Sequence, residues 1–484
     1  MTALDLQVLL PLLILAGTAL LLLLWAAFRE SRGTSGWMAV AGQTAALVGL
    51  LFPARHAPHA VGSLLLMDNY ALFYVGLILA SGIAVTVLSQ PFLDRCGLRP
   101  AEFHIVMLLA VLGAAVLAAS THFASLFLGL ELLTVSLYVL IAYNYRGTES
   151  LEAAVKYLIL AAVSSAFLLF GMALIYAEVG TFEFQELARR LSVEPYRAVF
   201  ILAGTGFMTA GIGFKLAVVP FHFWTPDVYQ GAPAPVTGFL ATVSKGSVVA
   251  LLLRYVTAVD LWSVEAVFLT FSVIAAASML VGNILALFQQ NVKRMIAYGS
   301  IGHLGYVLVA LLAGGTSAAE AVTFYVAAYV AATLGVFGLI GYGTGPDREA
   351  AELADLRGLF WRQPVLAGMF TVFLLSLVGL PLTGGFMGKF FVVRAGVGSG
   401  LWILVFLVVA TSVIGLFYYL RVVAGLYAGA DEPLAERGAV RERRLGSLPA
   451  TGMLALLTVI VLWLGVYPSP VLELIQHVVE VGAD

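Results

Sequence analysis

Apolar runs of about 18 residues or more recur along this chain from near residue 5 to near residue 468. A run of that length is a helix that crosses a bilayer, because about 20 residues rising 1.5 Å each span a hydrocarbon core of about 30 Å. Composition agrees. Hydrophobic residues make up 61% of the 484 and charged residues 11%, against roughly 25% charged in soluble domains. A soluble fold is excluded, and the reading is an all-α polytopic membrane protein. The net charge of −2 argues against a nucleic-acid partner. The single cysteine, Cys96, falls in a predicted loop and excludes an internal disulfide or a cysteine-ligated cluster.

Fourteen spans are predicted, at 5–28, 36–53, 70–90, 103–120, 122–143, 151–177, 198–219, 235–257, 264–287, 293–313, 319–342, 364–394, 401–428 and 450–468. The first is not read as a signal peptide, since its first basic residue, Arg29, follows the apolar core instead of preceding it. That asymmetry places the N-terminus outside. Every odd-numbered loop is then cytoplasmic, and these loops hold Arg29, Arg32, Arg95, Arg99, Arg146, Lys293, Arg294, Arg348, Arg357, Arg362, Arg437, Arg441, Arg443 and Arg444. The opposite loops hold only Arg55, Arg189, Arg190, Arg197 and Arg394. Fourteen against five supports both the span count and an orientation with both termini periplasmic.

Two spans are interrupted. Span 7 meets Pro220 in "GFKLAVVPFHFWTP", and span 12 contains "LVGLPLTGGFMGKFF" with Pro381, Gly384 and Gly385. The breaks lie five spans apart, so the two helices run in opposite directions. Paired breaks of this kind point to inverted repeats and an ion site near the membrane midplane. The predicted division is helices 1–3 in residues 1–100, a first five-helix repeat in 101–258, a second, inverted repeat in 259–430, and helix 14 with its tail in 431–484.

Ionisable residues fall inside the spans. Glu131 lies roughly 13 Å into span 5, and Lys245 roughly 15 Å into span 8. His303 has a similar depth in span 10. Lys215 and Lys389 flank the two breaks, and Lys156 enters span 6 by only about two turns. Lys293 reads as a topology anchor beside Arg294, and His222 as structural. Each central charge costs about 2.5–3.5 kcal/mol on insertion scales. Of the 25 basic residues only five are lysines, and four of the five lie within spans. Arginine stays protonated above about pH 12, whereas desolvation moves a lysine toward neutrality. A group that must gain and lose a proton can be lysine and not arginine, so the buried lysines read as proton carriers. There is no CxxC, no Rossmann glycine pattern and no Walker A sequence. The chain should move ions without electron chemistry or nucleotide hydrolysis, driven by a gradient or a partner.

The stretches "HFASLFLGLELLTVSLYVLIAYNYRGTESLEAAVKYLILAAVSSAFLLFGMALIY", "GFKLAVVPFHFWTPDVYQGAPAPVTGFLATVSKGSVVALLLR", "NVKRMIAYGSIGHLGYVLVAL" and "LVGLPLTGGFMGKFFV" resemble spans 5–6, 7–8, 10 and 12 of the antiporter-like subunits of respiratory complex I. The resemblance covers roughly residues 70–465, and "LEAAVKY" and "HFWTPDVYQGAPAPVTGFL" look closest to the N type of bacterial NADH–quinone oxidoreductase. It implies fourteen helices with two inverted five-helix repeats, and proton translocation driven by quinone reduction elsewhere in the complex. It implies that Glu131 pairs with Lys215, that Lys245 and His303 continue a hydrated axis, that Lys389 ends it, and that Lys156 is accessory. It implies no cofactor in this chain, with FMN, iron–sulfur clusters and quinone in partner subunits. Other membrane subunits would flank the chain on both sides, in a bacterial inner membrane. The alternatives are a subunit of a multisubunit Na+/H+ antiporter or membrane-bound hydrogenase, and a structural scaffold with static ion pairs.

Overall fold

The computed structural model describes residues 2–28, 33–193, 197–343, 349–429 and 448–480. Arg29, Arg32, Arg348, Arg437, Arg441, Arg443 and Arg444, counted above for the charge bias, lie outside the described residues. Thirteen helices among the described residues are long and apolar enough to cross a membrane, and they correspond to the predicted spans 1–11, 13 and 14. The twelfth is two helices of 15 residues each, Pro364–Val378 and Gly384–Gly398. The protein is a multi-pass, all-α membrane protein.

Both predicted breaks exist and end their helices in the same way. The first part of span 7, Ala198–Leu216, stops at Ala217, whose φ of 60° is left-handed, and the Val218 N–H returns to the Gly213 carbonyl at 3.0 Å. Pro220 has no N–H, and a proline disfavours helix in the residue before it, so the helix resumes only at Trp224–Gly231. In span 12 the first part stops at Gly379, with φ 84°, and the Leu380 N–H returns to the Leu375 carbonyl at 3.0 Å. Leu382 in that break is also left-handed, at φ 73°. A left-handed non-glycine residue is strained, and Ala217 and Leu382 are two of only three among the described residues.

A close helix hairpin likewise recurs. Spans 4 (Pro100–Ala118) and 5 (Phe123–Ile141) meet at Gly113 and Gly129. Spans 9 (Glu265–Leu287) and 10 (Val292–Ala313) meet at Gly282 and Gly302. Small residues let helix backbones approach in lipid, where packing replaces the hydrophobic driving force. The pairs occupy equivalent helices of opposite direction, as inverted repeats require.

Burial sorts the spans into layers. Spans 8 (Ala234–Val259), 10 and 11 (Gly315–Gly343) are 100%, 94% and 89% buried, against 28% for spans 1 and 14. The first group is therefore the core of the bundle and the second lies at its exposed edge. Span 8 carries one π turn, Leu240–Ser244, immediately before Lys245, and the Thr242 hydroxyl donates to the Gly238 carbonyl at 2.6 Å there. Such turns re-aim the side chains that follow.

Three details depart from the sequence reading. A short antiparallel hairpin, β1 (His59–Val61) with β2 (Leu65–Met67), lies between spans 2 and 3. An amphipathic helix, Ser469–Glu480, follows span 14. Cys96 is the last residue of the span 3 helix and not a loop residue. Of the tight glycines, Gly282 gives the sharpest test. A Cβ there would stand 2.6 Å from the Gly302 nitrogen, whereas one at Gly17 meets nothing within 4 Å. Gly282→Val is expected to destabilise the folded protein by about 1–3 kcal/mol or more and to reduce its yield from solubilised membranes. Gly17→Val should leave both yield and thermal midpoint unchanged.

Candidate functional site

Five side chains from the sequence reading fall on spans 5, 7, 8, 10 and 12; Lys215, Lys245 and His303 are buried, and Glu131 and Lys389 half-buried. Lys215 occupies the last turn of the first part of span 7, where a helix C-terminus favours a cation. Its ammonium donates to the Thr134 hydroxyl of span 5 and to the Tyr157 hydroxyl of span 6 at 3.5 Å. Lys245 donates to the Ser300 hydroxyl of span 10 at 2.9 Å and lies 5.5 Å from the centre of the Tyr229 ring. His303 shares a hydrogen bond of 2.6 Å between Nδ1 and the Tyr325 hydroxyl of span 11. Lys389 reaches back across the break to the Val378 carbonyl at 2.7 Å and to the Ser412 hydroxyl of span 13 at 3.1 Å. Val378 ends a half-helix, so this lysine, too, faces the negative end of a helix dipole.

His303 stands between two small voids. One is shared with Lys245 and bounded by Tyr325 and Tyr329. The other is shared with Lys389, Ser376 and the same two tyrosines. Each has room for about one water molecule. The Tyr329 hydroxyl, on the wall of both, makes no hydrogen bond to protein. The walls are otherwise mostly apolar, so this hydroxyl, the His303 ring and the two lysines are the groups on offer to a bridging water. The stretch from Lys245 through His303 to Lys389 thus alternates titratable groups with spaces of water size.

The start of the path differs from the sequence reading. Glu131 and Lys215 form no direct ion pair among the described residues. Glu131 is half-buried and accepts from the Ser165 hydroxyl of span 6, while the Lys215 ammonium takes Thr134, one turn along the same helix as Glu131. Two hydroxyls intervene where a salt bridge was expected.

Lys156 stands apart from the path. Its side chain is partly exposed and bridges Glu152 and Asp227, each at 2.7 Å. Asp227, in the helix Trp224–Gly231, also accepts from Arg294 at 2.7 Å. The cluster ties spans 6 and 10 to the second part of the broken helix.

Lys293, read as a topology anchor, has partners that the sequence did not indicate: it is buried at the start of span 10, donating to the Ala232 carbonyl at 2.6 Å and paired with Glu349. Glu349 accepts in turn from the Ala234 N–H at 2.8 Å, which fixes the start of span 8. Sequence reasoning had no means of finding this pair, because Glu349 sits in a loop of no periodicity. Nor did it find a partner for Arg254, which grips Asp68 with both guanidinium arms at 2.8 and 2.9 Å and joins spans 3 and 8. Only an arginine inside the end of an apolar span hinted at that one.

Comparison with known proteins follows this geometry. Residues 120–415 match the family model described as NADH:quinone oxidoreductase/Mrp antiporter, transmembrane. A chain of respiratory complex I from Thermus thermophilus, solved with bound aureothin, is 33% identical, with a TM-score of 0.81 over 96% of this chain and 98% of that one. A chain of the archaeal membrane-bound sulfane sulfur reductase is 24% identical, with a TM-score of 0.85 over 99% of this chain and 98% of that one. A chain of the Mrp complex from Dietzia sp. DQ12-45-1b is 18% identical, with a TM-score of 0.87 over 100% of this chain and 98% of that one. At these last two identities the likeness is one of fold.

The Asp68–Arg254 pair is nearly buried, at 9% and 10% side-chain exposure. Removing one member of such a pair strands the other and costs about 3–5 kcal/mol. Arg254→Met is therefore expected to lower the thermal midpoint of the solubilised protein, and Asp68→Asn added to it to restore most of the loss. Asn keeps the hydrogen bond that the Asp68 side chain now accepts from the Ala71 N–H. A double variant no more stable than the single one would show that the pair is not what holds spans 3 and 8 together.

Proposed function

Because the chain belongs to the NADH:quinone oxidoreductase/Mrp antiporter family of membrane subunits, we propose that it is the N-type proton-translocating subunit of a bacterial NADH–quinone oxidoreductase. The observation that carries this reading is the path from buried Lys215, Lys245 and His303 to half-buried Lys389, whose members bond to hydroxyls, a phenol and a backbone carbonyl. The 33% identity over nearly the whole of a complex I chain favours that assembly over an Mrp-type antiporter.

In this reading a proton enters near Glu131 and passes to Lys215 through the hydroxyls between them. It moves by way of Lys245 and His303 to Lys389, with a water in each void on either side of the histidine. Every lysine on the path alternates between ammonium and amine. A hydroxyl partner suits both forms, since it accepts from the ammonium and donates to the amine. Lys156 stays outside the relay and holds the Asp227 cluster at the entry side. The chain contributes translocation alone. FMN, iron–sulfur clusters and quinone belong to partner subunits, whose redox chemistry supplies the drive. Other membrane subunits lie on both flanks. The arginine-rich loops face the cytoplasm of the bacterial inner membrane, with both termini periplasmic.

Lys215→Arg tests this directly, because it keeps the charge and abolishes deprotonation. In the assembled complex, proton pumping and coupled quinone reductase activity should fall together by on the order of tenfold or more, within the range for loss of a proton-transfer group. Subunit content, including flavin and iron–sulfur partners, should be unchanged. Wild-type pumping in an intact Lys215→Arg complex would exclude Lys215 as a carrier.

A further inference from the structure

One buried amide lies beside the path without belonging to it. The Asn283 side-chain nitrogen donates to the Met279 carbonyl at 2.8 Å and to the Tyr306 hydroxyl at 3.2 Å. Its oxygen accepts from the Tyr418 hydroxyl at 3.1 Å. On one side this leads to Lys389. Tyr306 shares a hydrogen bond of 3.1 Å with Thr411, the next residue, Ser412, accepts from Lys389, and the Lys389 ammonium sits 4.9 Å from the Tyr306 ring centre. On the other side Tyr418 packs on Tyr419, with ring centres 4.4 Å apart, and the Tyr419 hydroxyl is buried without a hydrogen-bond partner. Beyond them Arg421 donates to the Leu287 and Gln289 carbonyls at the end of span 9, where the arginine-rich loops lie.

Space is reserved for this cluster. A Cβ at Gly302 would stand 2.5 Å from the Asn283 nitrogen, and one at Gly299 would stand 2.7 Å from the Tyr419 hydroxyl. A row of polar groups thus runs from the midplane lysine toward the cytoplasmic end of the second repeat, and Asn283 is its middle link. A hydroxyl accepts one proton while releasing another. A carboxamide donates only from nitrogen and accepts only at oxygen, and neither atom titrates near neutral pH. The amide therefore satisfies the hydroxyls of Tyr306 and Tyr418, which an apolar residue would strand, yet it interrupts any relay between them.

We propose that Asn283 is an insulator: it joins the Tyr306 and Tyr418 hydroxyls while blocking proton passage between Lys389 and the cytoplasmic end of the bundle. This rests on Lys389 being a proton carrier, as proposed above. A carrier in contact with both sides of the membrane at once would dissipate the gradient that the pump creates.

The test uses the whole complex in proteoliposomes, with an imposed pH gradient, no NADH, and a trapped pH-sensitive dye. Asn283→Asp places a titratable group in the gap. It is expected to speed decay of the gradient by on the order of tenfold, equivalent to lowering the barrier by about 1.4 kcal/mol. Asn283→Ser, smaller and uncharged, leaves a hydroxyl with room for a water, and should leak in the same sense. Asn283→Leu should hold the gradient as wild type does. Adding Lys389→Met to Asn283→Asp should close the leak again. Wild-type decay in both the Asp and Ser complexes overturns the proposal, as does a leak that persists without Lys389. If Asp does not assemble, Ser decides, and failure of both to assemble makes the role purely structural and overturns it too. Because the decay is read without turnover, it is independent of the pumping assay. Loss of pumping in Lys215→Arg beside a silent Asn283→Asp would sink the insulator and leave the relay standing.

Discussion

An amine in hydrocarbon is the condition to which the rest of this structure answers. A charged lysine at mid-membrane costs several kcal/mol, and the bilayer offers nothing to bond it. The protein must bring polar groups to the same depth, and each such group needs partners of its own. Breaking a helix is one way to supply them. The ends of the half-helices at Leu216 and Val378 present carbonyls inside the membrane, and Lys215 and Lys389 are placed at those two ends. Surrounding the site with helices buried along most of their length is the other. Spans 8, 10 and 11 are apolar and enclosed, so the hydroxyls of Ser300, Tyr325 and Tyr329 meet the path and not the lipid.

The partners divide the lysines into two kinds. Lys156 and Lys293 bond to carboxylates, and Arg254 does the same. A carboxylate favours the ammonium form and makes its loss costly, so these residues are fixtures that fasten helices to each other. Lys215, Lys245 and Lys389 bond to hydroxyls and a carbonyl. Such partners stabilise a charge without locking it in place. A static ion-pair scaffold would have carboxylates along the path, yet among the described residues Glu131 bonds to Ser165 and Lys215 to Thr134, with no ion pair between the two.

Much of this was legible in the sequence because lipid imposes simple rules. Run length gave the spans, and Pro220 and Pro381 the two breaks. The lysines of the path stood out because charge is rare in apolar runs. What escaped was the choice of partner. Lys293 looked like an anchor because it precedes a span beside Arg294, and only the folded chain brings Glu349 to it. The family resemblance implied that Glu131 pairs with Lys215, and only the packing of spans 5 and 6 shows hydroxyls taking both. Asn283 and Tyr306 had no signal at all, since an amide and a phenol inside a span carry no charge to mark them.

The repeat also explains why insulation is needed in the second half. Two inverted halves give two breaks with one termination geometry, and so two lysines, each beside a half-helix end. In a symmetric pair of half-channels each lysine would have polar access toward its own side only. Yet the second half also contains a polar row, Tyr306, Thr411, Tyr418 and Tyr419, that leads from Lys389 toward the side from which the first half draws its protons. Those hydroxyls help to bond spans 9, 10 and 13 at a depth where lipid bonds nothing, so deleting them is not free. Placing a non-titratable amide at the junction keeps the bonds and removes the conduction. The same reasoning that assigns the relay to groups able to change protonation assigns the barrier to a group that is unable to.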